Sequence, residues 1–417
     1  MKADVVIIGG GLAALVAGIK LIKSGKSVII VSSGQSALHF SSGAFGLMSK
    51  FGNEEVMQPL QFIDRLPNDH PYRKISKQLP LSIVLDDAKQ ILKDAGIELK
   101  GDHHINHFRL TPFGFFVPSW LTLKDHLTLD SLENIPFRKV AIIGIDGFLD
   151  FYPNFLAQGF EKLGVSTNKS SVNIKEFNIL RNNPTEMRAP NIARALTDDG
   201  VRRYAQVINN HIGDADIAII PGVVGLNDTQ QIKDLRNQVD CKVYTVTTIP
   251  VAVPGIRIKI LLQQYFSDLG GWYLMGDSVT DGEFVEHRLS HIFTSNLGTT
   301  KVSAENYIMA TGSYFSRGIK SNNYHVYEPI FNLDVTSSDN RSEWYDRNFF
   351  DSQPFMKFGL KTNESFQCYL EGQVLENVYA IGGILGGSFD PLYDGVGGGV
   401  TLASSVYVAE HLKDKMS

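Results

Sequence analysis

The hydrophobic pattern at the start of the chain predicts a strand, a helix and a second strand in quick succession. Asp4–Ile8 is a short run rich in β-branched residues that ends at glycines, which is typical of a buried strand. Leu12–Ser24 has apolar residues at helical spacing and stops at Gly25, and Ser27–Val31 is a second buried strand. Such a unit predicts a parallel sheet covered by helices.

Strands and helices continue to alternate along the rest of the chain. Further strands are predicted at Lys139–Ile143, Ile217–Ile220, Lys242–Thr247, Trp272–Met275, Tyr307–Ala310 and Val378–Ile381. Helices are predicted at Ser82–Ala95, Asn154–Leu163, Asn191–Leu196 (continuing past residue 202), Thr229–Val239, Leu261–Leu269 and Val400–Leu412. Strands that end in glycines lie near both ends of the chain. They predict one nucleotide-binding domain assembled from distant segments, with the middle of the chain as an insertion.

We expect the nucleotide-binding domain to comprise residues 1–75, 255–315 and 370–417. Residues 76–254 and 316–369 would then form an inserted α/β domain for substrate or partner. A length of 417 residues is ample for two such domains.

Composition narrows the class of protein. Lys and Arg total 39 against 44 Asp and Glu, so the net charge of −5 gives no basic surface for nucleic acid. Two cysteines, Cys241 and Cys368, are too few for an iron–sulfur cluster and favour a reducing cytoplasm. No run of about 20 apolar residues predicts a membrane span.

The pattern Gly9-x-Gly11-x-x-Ala14 lies between the first predicted strand and helix. Gly9 permits a tight turn, and Gly11 lets the backbone approach a phosphate. Leu12, Ala13 and Ala14 begin the helix, whose free N–H groups and dipole favour an anion. In this context the motif predicts a nucleotide or flavin.

One part of a dinucleotide site is missing. An acidic residue normally follows the second strand and binds an adenosine ribose. Ser32 and Ser33 stand at that place instead. The sequence therefore predicts a phosphate site without the usual clamp for adenosine.

Histidines and arginines supply the other candidates. His39 lies in the loop Gln35–Leu47 and is either a flavin contact or proton-transfer group, or a structural residue. Arginines suit a phosphate or carboxylate, but they also form ordinary ion pairs around a helix start. The arginines in question are Arg181, Arg188 and Arg194. We expect no metal site at His103, His104 and His107, since they have too few carboxylate or cysteine neighbours.

Several segments together resemble a known family over almost the whole chain. They are Val5–Ala13, Gln35–Gly43, Arg181–Glu186, Asn191–Arg194, Pro254–Arg257, Ala380–Gly387 and Gly397–Gly399. The chain is similar to the B subunit of anaerobic glycerol-3-phosphate dehydrogenase. The resemblance implies a Rossmann-type flavoprotein fold like those of glutathione reductase and fumarate reductase.

The resemblance also implies a place in a respiratory complex. An FAD-containing larger catalytic subunit would oxidise sn-glycerol 3-phosphate to dihydroxyacetone phosphate. An iron–sulfur subunit would anchor the complex to the inner face of the cytoplasmic membrane and pass electrons to quinone. This chain would relay electrons through its own flavin. A self-sufficient flavin oxidoreductase of a hydroxy or unsaturated acid and a flavin-free scaffold subunit stay open as alternatives.

The predicted site follows from the motifs and the resemblance together. The catalytic candidates are His39, Arg181, Arg188 and Arg194. The residues expected to bind flavin are Gly9, Gly11, Leu12, Ala13, Ala14, Ser32, Ser33, His39, Ser41, Ser42, Gly43, Thr311, Gly312, Gly382, Gly383, Gly397, Gly398 and Gly399. We expect FMN, with FAD as the alternative, because Ser32 and Gly383 stand where FAD proteins commonly carry acidic residues. The aromatic stretch Trp344–Phe358 is the candidate docking surface for a partner, unless its aromatic residues belong to the core.

Overall fold

The structure is a computed structural model that describes residues 1–416. Its helices are α1 (Leu12–Lys23), α2 (Pro71–Ser76), α3 (Leu81–Asp94), α4 (Pro153–Glu161), α5 (Lys175–Arg181), α6 (Ala189–Ala195), α7 (Asp198–Ile212), α8 (Gln230–Gln238), α9 (Val253–Asp268) and α10 (Gly397–Lys415).

The longer strands carry the two main sheets, and the two- to four-residue strands form small hairpins and ribbons. The strands are β1 (Lys2–Ile8), β2 (Val28–Ser32), β3 (Ala44–Phe45), β4 (Lys50–Phe51), β5 (Glu54–Glu55), β6 (Leu99–Lys100), β7 (His107–Leu110), β8 (Phe116–Ser119), β9 (Leu121–Leu123), β10 (Thr128–Leu129), β11 (Lys139–Ile145), β12 (Ser166–Val172), β13 (Ile217–Pro221), β14 (Lys242–Val246), β15 (Trp272–Met275), β16 (Val279–Val285), β17 (Arg288–Thr294), β18 (Val302–Met309), β19 (Lys320–Ser321), β20 (Val326–Tyr327), β21 (Val335–Thr336), β22 (Gly359–Leu360), β23 (Gln367–Leu370) and β24 (Gln373–Ala380).

The chain divides into two compact units. The first unit comprises residues 1–37, 46–96 and 262–417, and the second comprises residues 38–45 and 97–261. No helix within residues 1–416 is long and apolar enough to cross a membrane.

The first unit is built on a sheet whose main order is β15-β2-β1-β18-β17-β16. Strand β1 pairs in parallel with β2 and β18, and β18 pairs in parallel with β24. The first predicted strand and the predicted strand Val378–Ile381 therefore share one sheet. This topology confirms a Rossmann-type domain assembled from distant parts of the chain. Helices α1 and α10 pack together and bury apolar side chains along most of their lengths.

The second unit has its own parallel sheet, with the order β12-β11-β13-β14. Its central strands β11 and β13 are nearly continuous buried apolar runs, which is typical of a parallel sheet covered by helices, and α4 and α7 pack against the sheet. Gly144 lies within β11 and Gly147 has a φ of +79°, so this glycine pair forms a strand end and turn.

Four segments lie in a different unit from the one expected. Residues 38–45 belong to the second unit, although they were expected in the nucleotide-binding domain. Residues 76–96 and 316–369 belong to the first unit, because α3 forms ion pairs with α1 and β23 pairs with β24. Residues 255–261 belong to the second unit, because α9 begins at Val253, well before the expected start. Periodicity alone does not show which body a segment packs against.

The helix expected to run from Asn191 past residue 202 is in fact two helices. α6 ends at Ala195, and α7 begins after Thr197, whose hydroxyl accepts a hydrogen bond from the Gly200 N–H at 3.1 Å. A threonine N-cap starts a new helix and satisfies a donor that would otherwise lack a partner. The loop Gln35–Leu47 similarly contains a 3₁₀ turn at Ala37–Phe40 and the short strand β3.

Candidate flavin site

The two motif glycines between β1 and α1 are required for different structural reasons. Gly9 has a φ of +112°, and a Cβ there would lie 2.2 Å from the carbonyl oxygen of Ala310. A side chain at Gly11 would meet only the Cβ of Ser36, at 3.7 Å. Gly9 is therefore fixed by packing within the sheet, whereas Gly11 leaves open space in front of α1.

The first turn of α1 is suited to an anion. Gly11 is the N-cap residue, no side chain caps the helix, and its first turn carries no acidic residue. Ala13 and Ala14 are buried and contribute backbone groups rather than side-chain chemistry. Uncapped N–H groups and the positive end of the helix dipole favour a phosphate here.

Two further loops reach the same end of the sheet. Gly382 follows β24, and a Cβ there would lie 2.8 Å from the Cβ of Ala13 at the start of α1. A Cβ at Gly383 would lie 3.8 Å from the Cα of Gly312, which follows β18. The carboxyl ends of β1, β18 and β24 thus bring Gly9, Gly312, Gly382 and Gly383 close to the start of α1.

This cluster of loops contains a polar atom without a partner. The hydroxyl oxygen of Thr311 is buried and makes no hydrogen bond within residues 1–416. Buried hydroxyls normally have a partner. The glycine cradle, the open face of Gly11 and this hydroxyl fit a bound phosphate or polar cofactor edge.

The glycines at the start of α10 serve packing at least in part. The N–H of Gly399 donates to the carbonyl of Gly46 at 2.8 Å, and a Cβ at Gly399 would lie 2.1 Å from the Tyr72 hydroxyl. The hydroxyl of Thr401 donates to the carbonyl of Gly397 at 2.7 Å. Packing therefore requires glycine at position 399. Gly398 lies between Gly399 and Gly397, whose carbonyl accepts the Thr401 hydrogen bond.

Ser32 occupies the position where an acidic residue would bind ribose. Its side chain is 3% exposed, and its hydroxyl donates to the carbonyl of Gly34 at 3.2 Å. The Tyr273 hydroxyl donates to the carbonyl of Gly10 at 2.9 Å, and a Cβ at Gly10 would lie 2.2 Å from both the Ser32 and Tyr273 hydroxyl oxygens. Tyr273 and Ser32 therefore fill the space beside the glycine loop, and Ser33 is exposed. Sequence reasoning missed Tyr273, because nothing in the sequence shows that β15 lies next to β2.

The flavin residues predicted in the loop Gln35–Leu47, which are His39 and Ser41–Gly43, lie in the second unit. The Gly43 N–H donates to the Ser41 hydroxyl at 3.2 Å, and Gly43 has a φ of +78°. Ser42 is half-buried. The carbonyl of His39 accepts a hydrogen bond from the Ala252 N–H at 3.0 Å. Packing against the residues that lead into α9 holds this segment in place.

His39 has a basic neighbour that sequence reasoning missed. Lys259 of α9 is 9% exposed and His39 is 7% exposed. Burial lowers the pKa of both groups, and the Lys259 ammonium lowers the pKa of His39 further. Lys259 lies two residues after the segment that carried the family resemblance, and only the packing of α9 reveals its burial.

A buried ion pair stabilises the same region of the second unit. Both carboxylate oxygens of Asp125 accept hydrogen bonds from Nη2 of Arg257, at 3.2 and 3.1 Å, and Oδ2 also accepts one from Thr245. Burial raises the pKa of Asp125, but the Arg257 guanidinium, His126 and the hydrogen bonds to the carboxylate together lower that pKa to about 2. Arg257 is 1% exposed and also donates to carbonyls after β13, so its role is to join loops.

The predicted arginine candidates take ordinary surface roles. Arg188 Nη1 lies 2.7 Å from an Asp150 oxygen, and Arg181 Nη1 lies 3.9 Å from an Asp146 oxygen. Arg194 donates to a neighbouring side chain on its own helix. All three side chains are largely exposed. This geometry favours the ion-pair interpretation over a substrate site.

The histidine-rich stretch is only partly clustered. One ligand atom each of Asp102, His103 and His104 lie within 4.8 Å of one another. An Asp102 oxygen already accepts the His104 N–H at 2.8 Å, and His107 Nε2 lies 2.7 Å from the Thr122 hydroxyl. The hydrogen bond between Asp102 and His104 belongs to a local turn, and the His107 ring contacts Thr122 instead.

Comparison with known proteins places this chain in a family. Residues 4–400 match a family described as an FAD binding domain. The B subunit of anaerobic glycerol-3-phosphate dehydrogenase from Yersinia enterocolitica is 38% identical over 422 residues, which cover 100% of this chain and 99% of that protein. This chain belongs to the family of anaerobic glycerol-3-phosphate dehydrogenase B subunits. The B subunit from Aliivibrio fischeri is also similar, at 33% identity over 443 residues that cover 100% of this chain and 96% of that protein.

This member of the B-subunit family is a flavoprotein of the oxidoreductase class, which confirms the predicted family and the flavin. The description of its domain names FAD. Among solved structures, 3-ketosteroid delta1-dehydrogenase from Sterolibacterium denitrificans is similar with a TM-score of 0.44 and 11% identity, covering 99% of this chain and 100% of that one.

Proposed function

We propose that this protein is the electron-relaying flavin subunit of a quinone-linked glycerol-3-phosphate dehydrogenase. The observation that carries the proposal is the meeting of three loops, after β1, β18 and β24, around the open face of Gly11. Membership of the B-subunit family supports the choice of glycerol 3-phosphate as the substrate of the complex. The complex would oxidise sn-glycerol 3-phosphate to dihydroxyacetone phosphate.

The residues of the first unit would bind the flavin phosphate and orient the cofactor. Backbone N–H groups of Gly11 and Leu12 would hold the phosphate, and the Thr311 hydroxyl would donate to a polar edge of the cofactor. A bound flavin supplies the ability to accept two electrons and release them one at a time. The glycine loops supply position and a positive local field.

We place oxidation of the substrate on the larger partner subunit. Alcohol oxidation needs a base within hydrogen-bond reach of the hydroxyl. His39 remains the candidate, but its neighbour is the cation Lys259 rather than a carboxylate that would raise its basicity. Arg181 and Arg188 are exposed and pair with Asp146 and Asp150, which favours a structural role over binding of a substrate.

We propose FMN rather than FAD as the flavin of this chain. The Ser32 and Tyr273 hydroxyls fill the space beside Gly10 where an acidic residue would bind ribose. Gly383 likewise brings no carboxylate to the loop after β24. The family description favours FAD, and backbone amides near Ser33 are an alternative ribose site. Chromatography of heat-released flavin decides: a stoichiometric FAD peak would overturn the FMN proposal.

The partners would be an FAD-containing catalytic subunit and an iron–sulfur subunit on the inner face of the cytoplasmic membrane. The stretch Trp344–Phe358 divides into packed and exposed aromatic residues. Trp344 donates to the Ser338 carbonyl and packs on Phe358, whereas Phe349 and Phe350 are 82% and 84% exposed. These two phenylalanines are our proposed docking contact for a partner subunit.

Co-purification with flavin and mass analysis tests the proposal. We expect a stable complex with companion subunits and one flavin on this chain. We also expect the isolated chain to be a poor catalyst of glycerol 3-phosphate oxidation with an artificial acceptor. Turnover of the isolated chain at the rate of the complex would show that it is a self-sufficient enzyme. A purified chain without any flavin spectrum would instead indicate a scaffold.

A further inference from the structure

Two basic side chains lie buried together in the second unit. A Cβ at Gly255 would lie 1.9 Å from the carbonyl oxygen of Leu38 and 2.9 Å from that of Ser41, so the turn that carries His39 rests directly on α9. Lys259 follows Gly255 by four residues and therefore lies on the same face of the helix. His39 and Lys259 are 7% and 9% exposed.

Neither of these side chains has a counter-ion or hydrogen-bond partner within residues 1–416. By contrast, Lys74 is buried in the first unit and donates to the carbonyl and hydroxyl of Thr362 at 2.8 and 3.0 Å. Arg257, two residues before Lys259, pairs with the Asp125 carboxylate. The buried cations Lys74 and Arg257 thus have partners, whereas the side chains of Lys259 and His39 do not. Their nitrogen atoms reach solvent, because none of them is among the fully buried polar atoms without a partner within residues 1–416. An anionic ligand can therefore reach these two basic groups and supply the counter-charge that they lack.

We infer that Lys259 and His39 form a binding site for a small phosphate monoester. A phosphate oxygen accepts hydrogen bonds from an ammonium and from an imidazole N–H, and its two negative charges match two cationic groups. The choice of a monoester rests on the proposed function, in which glycerol 3-phosphate is the substrate of the complex. These two residues belong to the second unit, whereas the Gly11 loop, to which we assign the flavin phosphate, belongs to the first.

Proton uptake should accompany binding at this site. Burial lowers the pKa of Lys259, and burial together with the Lys259 ammonium lowers the pKa of His39. Within residues 1–416, Lys259 is the charged group that acts on His39, and no charged group offsets the burial of Lys259. An oxyanion favours the charged form of both groups, so their pKa values rise on binding.

Titration calorimetry of the full chain with inorganic phosphate and with sn-glycerol 3-phosphate tests the site. We expect binding near pH 7 with an observed enthalpy that varies with the ionisation enthalpy of the buffer. Lys259→Met should raise the Kd at least tenfold, and Lys259→Arg should keep it within a few-fold. Lys74→Met is the matched control, because it removes a buried lysine that already has partners, and its Kd should be unchanged.

Stability and NMR provide readouts that are independent of activity. Without phosphate, Lys259→Met should not lower the Tm, because the substitution removes no hydrogen bond or ion pair within residues 1–416. In the wild type the His39 pKa should rise by about one unit when phosphate is added. If Lys259→Met does not fold, Lys259→Gln replaces it as the uncharged variant.

Wild-type phosphate affinity in Lys259→Met, or no binding of either anion to the wild type, would overturn the inference. Loss of bound flavin in Lys259→Met would also overturn it, because the site would then hold the flavin phosphate. Absence of flavin from the wild-type protein would instead refute the proposed function and leave anion binding at Lys259 unaffected.

Discussion

Replacement of Gly11 by alanine separates cofactor binding from folding. Gly11 has φ −88° and ψ −166°, which alanine adopts without strain, and its new Cβ would meet only Ser36 at 3.7 Å. Folding stability should therefore stay within about 1 kcal/mol of the wild type. The same Cβ occupies the open face where a phosphate approaches. A hydrogen bond to a charged group contributes about 1.5–3 kcal/mol. Losing one should therefore raise the flavin Kd about 10- to 100-fold, since about 1.4 kcal/mol is tenfold.

Two matched substitutions make this experiment decisive. Gly9→Ala combines a φ of +112° with a contact of 2.2 Å to Ala310, so it should cost at least about 1–3 kcal/mol of stability. Gly144→Ala adds a Cβ at 3.5 Å from Pro153, which is an ordinary contact, and should change neither the flavin affinity nor the folding stability. Flavin titration and urea unfolding measure the two effects. Wild-type flavin affinity in Gly11→Ala, or the same loss of stability in Gly11→Ala as in Gly9→Ala, would refute the assignment of the phosphate to this loop.

Other substitutions test the buried ion pair, the docking contact and the acid sensitivity of the fold. Asp125→Asn leaves Arg257 buried without a counter-ion and should cost about 3–5 kcal/mol in urea unfolding; an unchanged midpoint would contradict a structural role. Phe349→Asp should abolish assembly with partner subunits without changing the Tm, whereas Tyr324→Asp, also 82% exposed, should assemble normally; assembly of Phe349→Asp would remove the docking contact. Burial lowers the pKa of His70 to about 3. As the pH falls, His70 therefore binds a proton in the unfolded chain at a higher pH than in the folded chain. Stability should then decline by up to about 1.4 kcal/mol per unit from pH about 6.5 towards 3. His70→Asn, which keeps an acceptor at the N-cap of α2, should reduce that slope in unfolding at pH 7 and 5.

The sequence alone determined the first strand–helix–strand unit of the flavin domain and the later strands that end in glycines, but not the antiparallel strands β16 and β17. Asp4–Ile8, Leu12–Ser24 and Trp272–Met275 were predicted almost to the residue, because apolar period and glycine punctuation are local properties of the chain. The Gly9-x-Gly11 motif was equally local. Its context of strand and helix was enough to predict a phosphate site, and the family followed from the segments that share it.

The tertiary structure decided which distant residues meet and what each glycine does. The sequence does not distinguish the roles of Gly9 and Gly11. In the structure, Gly9 packs against Ala310, whereas Gly11 faces open space. Tyr273 reaches the loop because β15 pairs with β2, a strand far away along the chain. Lys259 looks like any surface lysine until α9 packs against the His39 turn and leaves it buried without a partner. Burial and charge compensation depend on long-range packing, and no local pattern of residues records them.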